Sequence, residues 1–155
     1  MPAKLYDLAK SEGILIDFYE FPDPILGAYY HKGNKPPVIL LHKKIMRQKR
    51  LFRCVFAEEL GHHFTTGFDL MYFARSDKQY IVAKYEKLAI FWAVEYLMPL
   101  DKLIKTVNSG FLLTHEIAEF FDITVRFAGT GIKLYYEKLG LEFLNMFKNP
   151  PHEII

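Results

Sequence analysis

The stretch Arg53 to His63, Arg-Cys-Val-Phe-Ala-Glu-Glu-Leu-Gly-His-His, constrains this chain more than any other part of it. Apolar residues recur through it with a helical period, which predicts a helix over residues 45–64. Residues four apart lie on one face of a helix, so Glu58 and His62 stand one turn apart. A carboxylate and an imidazole in that arrangement can bind a metal ion together. The same spacing also occurs as a simple side-chain pair, so the metal interpretation needs support from elsewhere in the chain.

The helix differs by one residue from a well-known catalytic pattern. In the zinc-peptidase signature H-E-x-x-H, two histidines at i and i+4 bind zinc and the glutamate between them is the general base. Here Glu58 stands at the first histidine position, and His62 stands at the second. Glu59 is then placed to take a proton from water and pass it to a leaving amine.

A third candidate ligand lies on the next strong helical pattern, over residues 84–98. Glu86 heads an otherwise apolar stripe, and a carboxylate in that position should be exposed, paired with a cation or bound to a metal. A catalytic zinc needs three protein ligands and one open position, a set that Glu58, His62 and Glu86 can supply. Two carboxylates and one imidazole carry more negative charge than the usual ligands, which favours a harder ion such as Mn²⁺ as an alternative to Zn²⁺.

Other residues near the motif leave alternatives open. Gly61 costs the helix roughly 1 kcal/mol against alanine, which indicates the close approach of a strand or a second helix. His63 forms a second i, i+4 pair with Glu59, but this register leaves no base between its ligands. His31 and His42 fall on predicted strands, where a hydrogen bond or exposure to solvent is the favoured interpretation for each.

The wider pattern predicts an α+β fold in a single domain over residues 1–155. A short first helix ends at Gly13. Three strands over residues 14–21, 26–30 and 38–42 predict a small antiparallel sheet within residues 14–42. Residues 68–82 are predicted to be an irregular connection, and residues 101–147 a C-terminal helical part.

The composition of the chain favours one cellular compartment and makes some classes of partner less favoured. The single cysteine among 155 residues excludes an internal disulfide framework, which favours a reducing, cytoplasmic environment. No stretch approaches the roughly 18 apolar residues of a membrane span. A formal net charge of +2 does not indicate a nucleic-acid partner. Residues 114–139 loosely suggest a helix-turn-helix, but with only Arg126, Lys133 and Lys138 to reach DNA, packing is the favoured interpretation.

The stretch Phe56-Ala57-Glu58-Glu59-Leu60-Gly61-His62-His63, followed by Glu86-x-x-Ala89 and Leu97-Met98-Pro99, resembles the ImmA/IrrE family of metallopeptidases from prophages and mobile elements. Residues 117–124 extend the resemblance less specifically. The resemblance implies a zincin-like helical core, with His62 and Glu86 as zinc ligands and Glu59 as the catalytic glutamate. It also implies cleavage of a phage-type repressor or a related regulator. Glu58 departs from the family pattern, in which a histidine stands at this position.

Two functional hypotheses follow. The first is a cytoplasmic metallo-endopeptidase that cleaves a repressor and so derepresses a prophage or mobile element, with an edge of the sheet receiving the extended substrate. The second is a non-catalytic regulator that binds its repressor partner through a decayed protease site. DNA binding through residues 114–139 is a third, weaker hypothesis.

Overall fold

The computed structural model describes residues 3–66 and 79–150. Most of the predicted irregular connection, up to residue 78, lies outside the described residues, and residues 79–82 belong to a helix. The chain divides into two compact units, residues 1–93 and residues 94–155. In the described part of the chain, no helix combines the length and the apolar character that a membrane span requires.

The first unit contains a helix, a sheet and the motif helix in chain order. Its elements are α1 (Ala3–Ser11), β1 (Leu15–Tyr19), β2 (Gly27–Tyr30), β3 (Val38–His42), a 3-10 turn (Lys43–Ile45), α2 (Lys49–Thr66) and the greater part of α3 (Gln79–Leu97). The helix α1 ends before Gly13, as predicted, because Gly13 adopts a φ of +68° that other residues disfavour.

The sheet is mixed, with the strand order β1-β3-β2. The α+β class with an N-terminal sheet is confirmed. The antiparallel prediction is correct for β2 and β3, whereas β1 runs parallel to β3. The alternation of apolar and polar residues locates strands along the chain but does not give their order in the sheet. It therefore did not reveal that β3 lies between the other two strands. In consequence, β1 and β2 form the two edges of the sheet within the described residues.

The core of this unit lies between the sheet and α2. Ile39 and Leu41 of β3 are fully buried, and the apolar stripe predicted on α2 is buried with them. This stripe consists of Phe52, Val55, Phe56 and Leu60. Packing of the stripe against the sheet and α1 fixes the rotation of α2, and hence the direction in which its polar residues point.

The motif helix begins later than predicted. Residues 43–45 form the 3-10 turn, because His42 accepts a hydrogen bond from the Lys44 N–H at 3.1 Å through Nδ1 and caps that turn. The helix α2 therefore spans residues 49–66 in place of the predicted 45–64. The predicted helix over residues 84–98 is also longer at its start, since α3 spans residues 79–97 before Pro99.

The second unit is helical. After the end of α3 it contains α4 (Leu100–Asn108), α5 (Thr114–Phe121), α6 (Val125–Leu139) and α7 (Leu141–Asn145). Asp122, with a φ of +54°, ends α5, and the Thr124 side chain accepts the Phe127 N–H at 3.1 Å to begin α6. The Tyr135 hydroxyl donates to the Met98 carbonyl at 3.0 Å and fixes α6 to the segment that follows α3.

Candidate metal centre

The contact between α2 and α3 depends on Gly61. A Cβ atom at this position would overlap the main-chain carbonyl of Ala89 on α3. The absence of a side chain therefore lets the two helices approach backbone to backbone. This confirms that Gly61 marks the close approach of a second helix to the motif face.

The close approach brings two of the three predicted ligands together. His62 Nε2 lies 3.4 Å from Glu86 Oε2, and the Glu86 side chain remains 49% exposed. Glu86 is thus both partly exposed and paired, two of the alternatives that its place on the helix predicted. Since Glu86 and Ala89 are three residues apart on α3, the helix contact at Gly61 and the side-chain pair lie on the same face.

Glu59 is buried beside this pair, with only 8% of its surface exposed. Burial raises the pKa of Glu59 to about 8, and the charges of Glu58 and Glu86 add to the rise. The charge of His62 and a hydrogen bond from the Tyr29 N–H oppose it. The pKa of Glu59 therefore lies close to neutral pH, the range in which a general base works best.

The pKa of His62 is raised by the surrounding carboxylates. Burial alone would lower it, but the hydrogen bond that His62 donates to Glu86 and the charges of Glu59, Glu86 and Glu58 outweigh that effect. Each of these side chains is thus close enough to stabilise a positive charge at this point. The site is electrostatically suited to a cation.

Strand β2 covers Glu59 through a glycine. A Cβ at Gly27 would stand 2.6 Å from Glu59 Oε1 and 2.8 Å from Val55 Cγ1, so only glycine allows the strand to lie this close to α2. Neither Gly27 nor Tyr29 was among the site residues predicted from the sequence. A glycine at the start of a predicted strand is a signal of close backbone approach that could have identified Gly27, whereas nothing local marks Tyr29.

The geometry of the His62–Glu86 pair fits a bound metal. Two ligand atoms on a tetrahedral ion, with bonds of about 2.1 Å, lie about 3.4 Å apart, and the Nε2–Oε2 separation is 3.4 Å. In addition, His62 Nδ1 is buried and has no hydrogen-bond partner among the described residues, so no hydrogen bond at this atom fixes the orientation of the imidazole ring. The pair could therefore hold a metal without moving apart.

Glu58 is less closely associated with the pair. It is half-buried one turn before His62, and its charge raises the pKa of His62. Across residues 3–66 and 79–150, however, no three His, Cys, Asp or Glu side chains form a metal-binding group. The ligand set of Glu58, His62 and Glu86 and the catalytic role of Glu59 stay predictions.

The other histidines have different roles. His63 Nδ1 lies 3.0 Å from the Tyr29 hydroxyl, and its Nε2 lies 3.3 Å from Glu12 Oε2. Both ring nitrogens thus face partners other than a ligand set with Glu59, which disfavours the second register. His42 is a hydrogen-bond partner, as favoured from its position on a strand.

Comparison with protein families identifies the relatives of this site. The family model of the IrrE N-terminal-like domain, peptidase M78, matches residues 9–133. The chain belongs to the M78 peptidase family. The match confirms the resemblance to the ImmA/IrrE proteins, and it includes β2, α2 and α3, which carry all the candidate site residues. Membership of M78 indicates a metallopeptidase type of function. Comparisons with curated proteins and with solved structures gave no match.

Proposed function

We propose that this M78 domain is a cytoplasmic metal-dependent endopeptidase that cleaves a phage-type repressor or a related transcriptional regulator, and so derepresses a prophage or mobile element. The observation that carries the proposal is the 3.4 Å approach of His62 Nε2 to Glu86 Oε2 beside the buried Glu59. The regulator substrate rests on the resemblance to ImmA/IrrE proteins.

In this proposal His62, Glu86 and Glu58 hold the metal, with Zn²⁺ as the first candidate and Mn²⁺ as the second. When bound, the metal would polarise the scissile carbonyl and lower the pKa of a water to about 7. Glu59 accepts a proton from the attacking water on its carboxylate and donates it to the leaving amine. Its carboxylate is held for this purpose by the Tyr29 N–H.

The open edge of β2 is the place for an extended substrate. The His42 N–H donates to the Leu26 carbonyl at 2.8 Å, which sets the alternation of the antiparallel ladder with β3. Gly27 and Tyr29, at the alternate positions, therefore direct their main-chain N–H and C=O groups away from β3. Because the Tyr29 N–H faces Glu59, a substrate strand would pair with the Gly27 N–H and C=O and the Tyr29 C=O, and would lie beside Glu59.

The other edge of the sheet is protected against pairing. The Leu15 N–H donates to the Pro37 carbonyl at 2.9 Å, so Ile16 and Phe18 direct their main-chain groups away from β3. The Asp17 carboxylate accepts a hydrogen bond from the Phe18 N–H at 2.8 Å and places a negative charge at that edge. Such charges are a common means of preventing strand addition, which leaves β2 as the substrate edge.

Metal content is the first test. Purified protein should contain about one zinc or manganese ion per chain by elemental analysis, because the geometry of the His62–Glu86 pair fits a tetrahedral ion. Glu86→Ala should contain little. A matched control is Glu20→Ala, which removes an exposed carboxylate that pairs with Lys43 and should leave metal content unchanged. Equal metal content in all three proteins would contradict the proposed site.

Cleavage is the second test. Incubation with the repressor encoded nearby should produce discrete fragments, and Glu59→Gln should produce none, because an amide cannot accept the proton. A loss of at least about 10²-fold is expected from removal of a general base. Undiminished cleavage by Glu59→Gln would exclude this mechanism.

The non-catalytic regulator remains the alternative, and the carboxylate at Glu58 in place of a histidine is the feature that favours it. In that case metal-free protein binds the repressor stoichiometrically and the metal-loaded protein yields no fragments.

DNA binding has less support. On α6, Lys133 lies 4.0 Å from Glu137, and Lys138 lies 3.5 Å from Glu95, so two of its three cations are already paired with carboxylates.

A further inference from the structure

A chain of side-chain contacts joins three elements of the first unit. The Tyr29 hydroxyl on β2 lies 3.0 Å from His63 Nδ1 on α2, and His63 Nε2 lies 3.3 Å from Glu12 Oε2, one residue beyond the end of α1. The His63 side chain is largely buried. These three side chains take no part in the proposed ligand set or in the proposed proton transfer.

The chemistry of the groups fixes the direction of the His63–Glu12 hydrogen bond, and the tautomer of His63 fixes the direction of the other. An ionised carboxylate only accepts, so His63 Nε2 carries the hydrogen and donates to Glu12. In the neutral imidazole Nδ1 is then the acceptor, and the Tyr29 hydroxyl donates to it. The ring of His63 also meets the Tyr29 ring edge to face, with centroids 5.7 Å apart. The phenol is thus held by both a hydrogen bond and a ring contact.

Tyr29 is held at two points by the same helix. Its side chain is hydrogen-bonded to His63, while its main-chain N–H faces Glu59, one turn earlier on α2, against which Gly27 of the same strand also packs. Within the described residues, strand β2 is hydrogen-bonded to a neighbouring strand on one side, so these attachments and the packing of Gly27 on α2 set the position of its other edge. A shift of the Tyr29 side chain would move the N–H that meets Glu59.

We propose that His63 and Glu12 are positioning residues, which hold Tyr29 so that its N–H stays on Glu59 and the open edge of β2 stays aligned with the site. Glu12 and His63 act through Tyr29, and their side chains contact neither the substrate nor the metal. Its effect on turnover rests on the proposed peptidase function, whereas its effect on the position of the strand does not.

Amide hydrogen exchange tests the effect on the strand in the metal-free protein. His63→Phe retains a ring of similar size but loses both hydrogen bonds, while His63→Gln retains one acceptor and one donor. The Tyr29 amide should exchange about tenfold faster in His63→Phe, as expected for the loss of one or two hydrogen bonds. In His63→Gln it should stay closer to the wild-type rate. Ile39, in the central strand, reports whether the sheet remains folded and should not change in either variant.

Turnover of the fluorescently labelled repressor encoded nearby tests the effect on catalysis, with metal content measured on the same samples. His63→Phe should lower kcat by about tenfold at unchanged metal content, and His63→Gln should recover most of it. A wild-type protein that binds metal but cleaves nothing would contradict the proposed function, and the exchange rates would still decide the role of His63. Unchanged Tyr29 exchange in His63→Phe, or an equal loss of kcat in both variants, would overturn the proposal.

Discussion

At the scale of single residues, the fold changes the acidity of Glu59 strongly. It is removed from water on a helix between two further carboxylates of the site, and its pKa rises to about 8 in consequence. The Tyr29 N–H and the charge of His62 compensate for part of the burial. A carboxyl group in this state is costly to the free protein, and strongly perturbed groups of this kind occur more often at functional sites than elsewhere.

The raised pKa of Glu59 predicts how stability depends on pH. Between the unfolded value of 4.5 and the folded value of about 8, the folded protein binds a proton that the unfolded chain releases. The free energy of unfolding of the metal-free protein should therefore fall as pH rises through this window, by on the order of 1.4 kcal/mol per pKa unit.

Glu59→Gln should remove this dependence, because the amide does not ionise. Urea unfolding in the presence of a chelator, at several pH values between about 5 and about 8, measures the slope for both proteins. The variant should lose less stability than the wild type across this range. Parallel slopes would mean that Glu59 titrates normally in the folded state.

At the scale of elements, the decisive feature is the contact of α2 with α3 at Gly61 and Ala89. It sets the distance between the helices, and with it the separation of His62 and Glu86. The sequence indicated that some element comes close to Gly61, because a glycine in the middle of a helix is otherwise unfavourable. It did not give the 3.4 Å separation, which depends on how the two helices pack.

Gly61→Ala should push the helices apart. The added Cβ would overlap the Ala89 main chain, which cannot move as a flexible side chain can. We expect a loss of about 1–3 kcal/mol in the free energy of unfolding and weaker metal binding. Thermal unfolding and metal titration measure the two effects.

Gly129→Ala is the matched control for this prediction. Gly129 also lies within a helix, but a Cβ there would be 3.8 Å from its nearest neighbour, Thr114 Cγ2, an ordinary contact. Alanine should therefore stabilise α6 by up to about 1 kcal/mol. A similar loss of stability in both variants would show that the overlap at Gly61 is not the cause.

At the scale of the whole molecule, the candidate site lies in the first compact unit and joins residues from two helices of that unit. A metal held by His62 and Glu86 would link α2 to α3, and any ligand that binds only the folded state stabilises it. Metal binding should therefore be visible as a change in global stability.

Addition of Zn²⁺ should raise the Tm of the metal-free protein. At a free Zn²⁺ concentration 100 times the Kd, the free energy of unfolding should increase by about 2.7 kcal/mol. Glu86→Ala should show a much smaller shift, and Glu20→Ala should respond like the wild type. Differential scanning calorimetry with and without chelator provides the measurement. An equal shift in the Glu86→Ala protein would place the bound metal elsewhere.

By itself, the sequence determined the features that depend on local periodicity and residue type. The α+β class, the three strands, the helix carrying Glu58, Glu59 and His62, and the second helix with Glu86 all follow from patterns a few residues long. The family was identifiable for the same reason, since its motif lies within single helices.

Only the tertiary structure decided which edge of the sheet meets the site and how Glu59 is held. The order β1-β3-β2, the fit of Gly27 against Glu59 and the Glu12–His63–Tyr29 chain depend on residues far apart in sequence. Tyr29 and His63 are 34 positions apart, and Glu12 and His63 are 51 apart. Local sequence patterns do not reveal such pairs, because the paired residues meet only when secondary-structure elements pack and bury their apolar faces together.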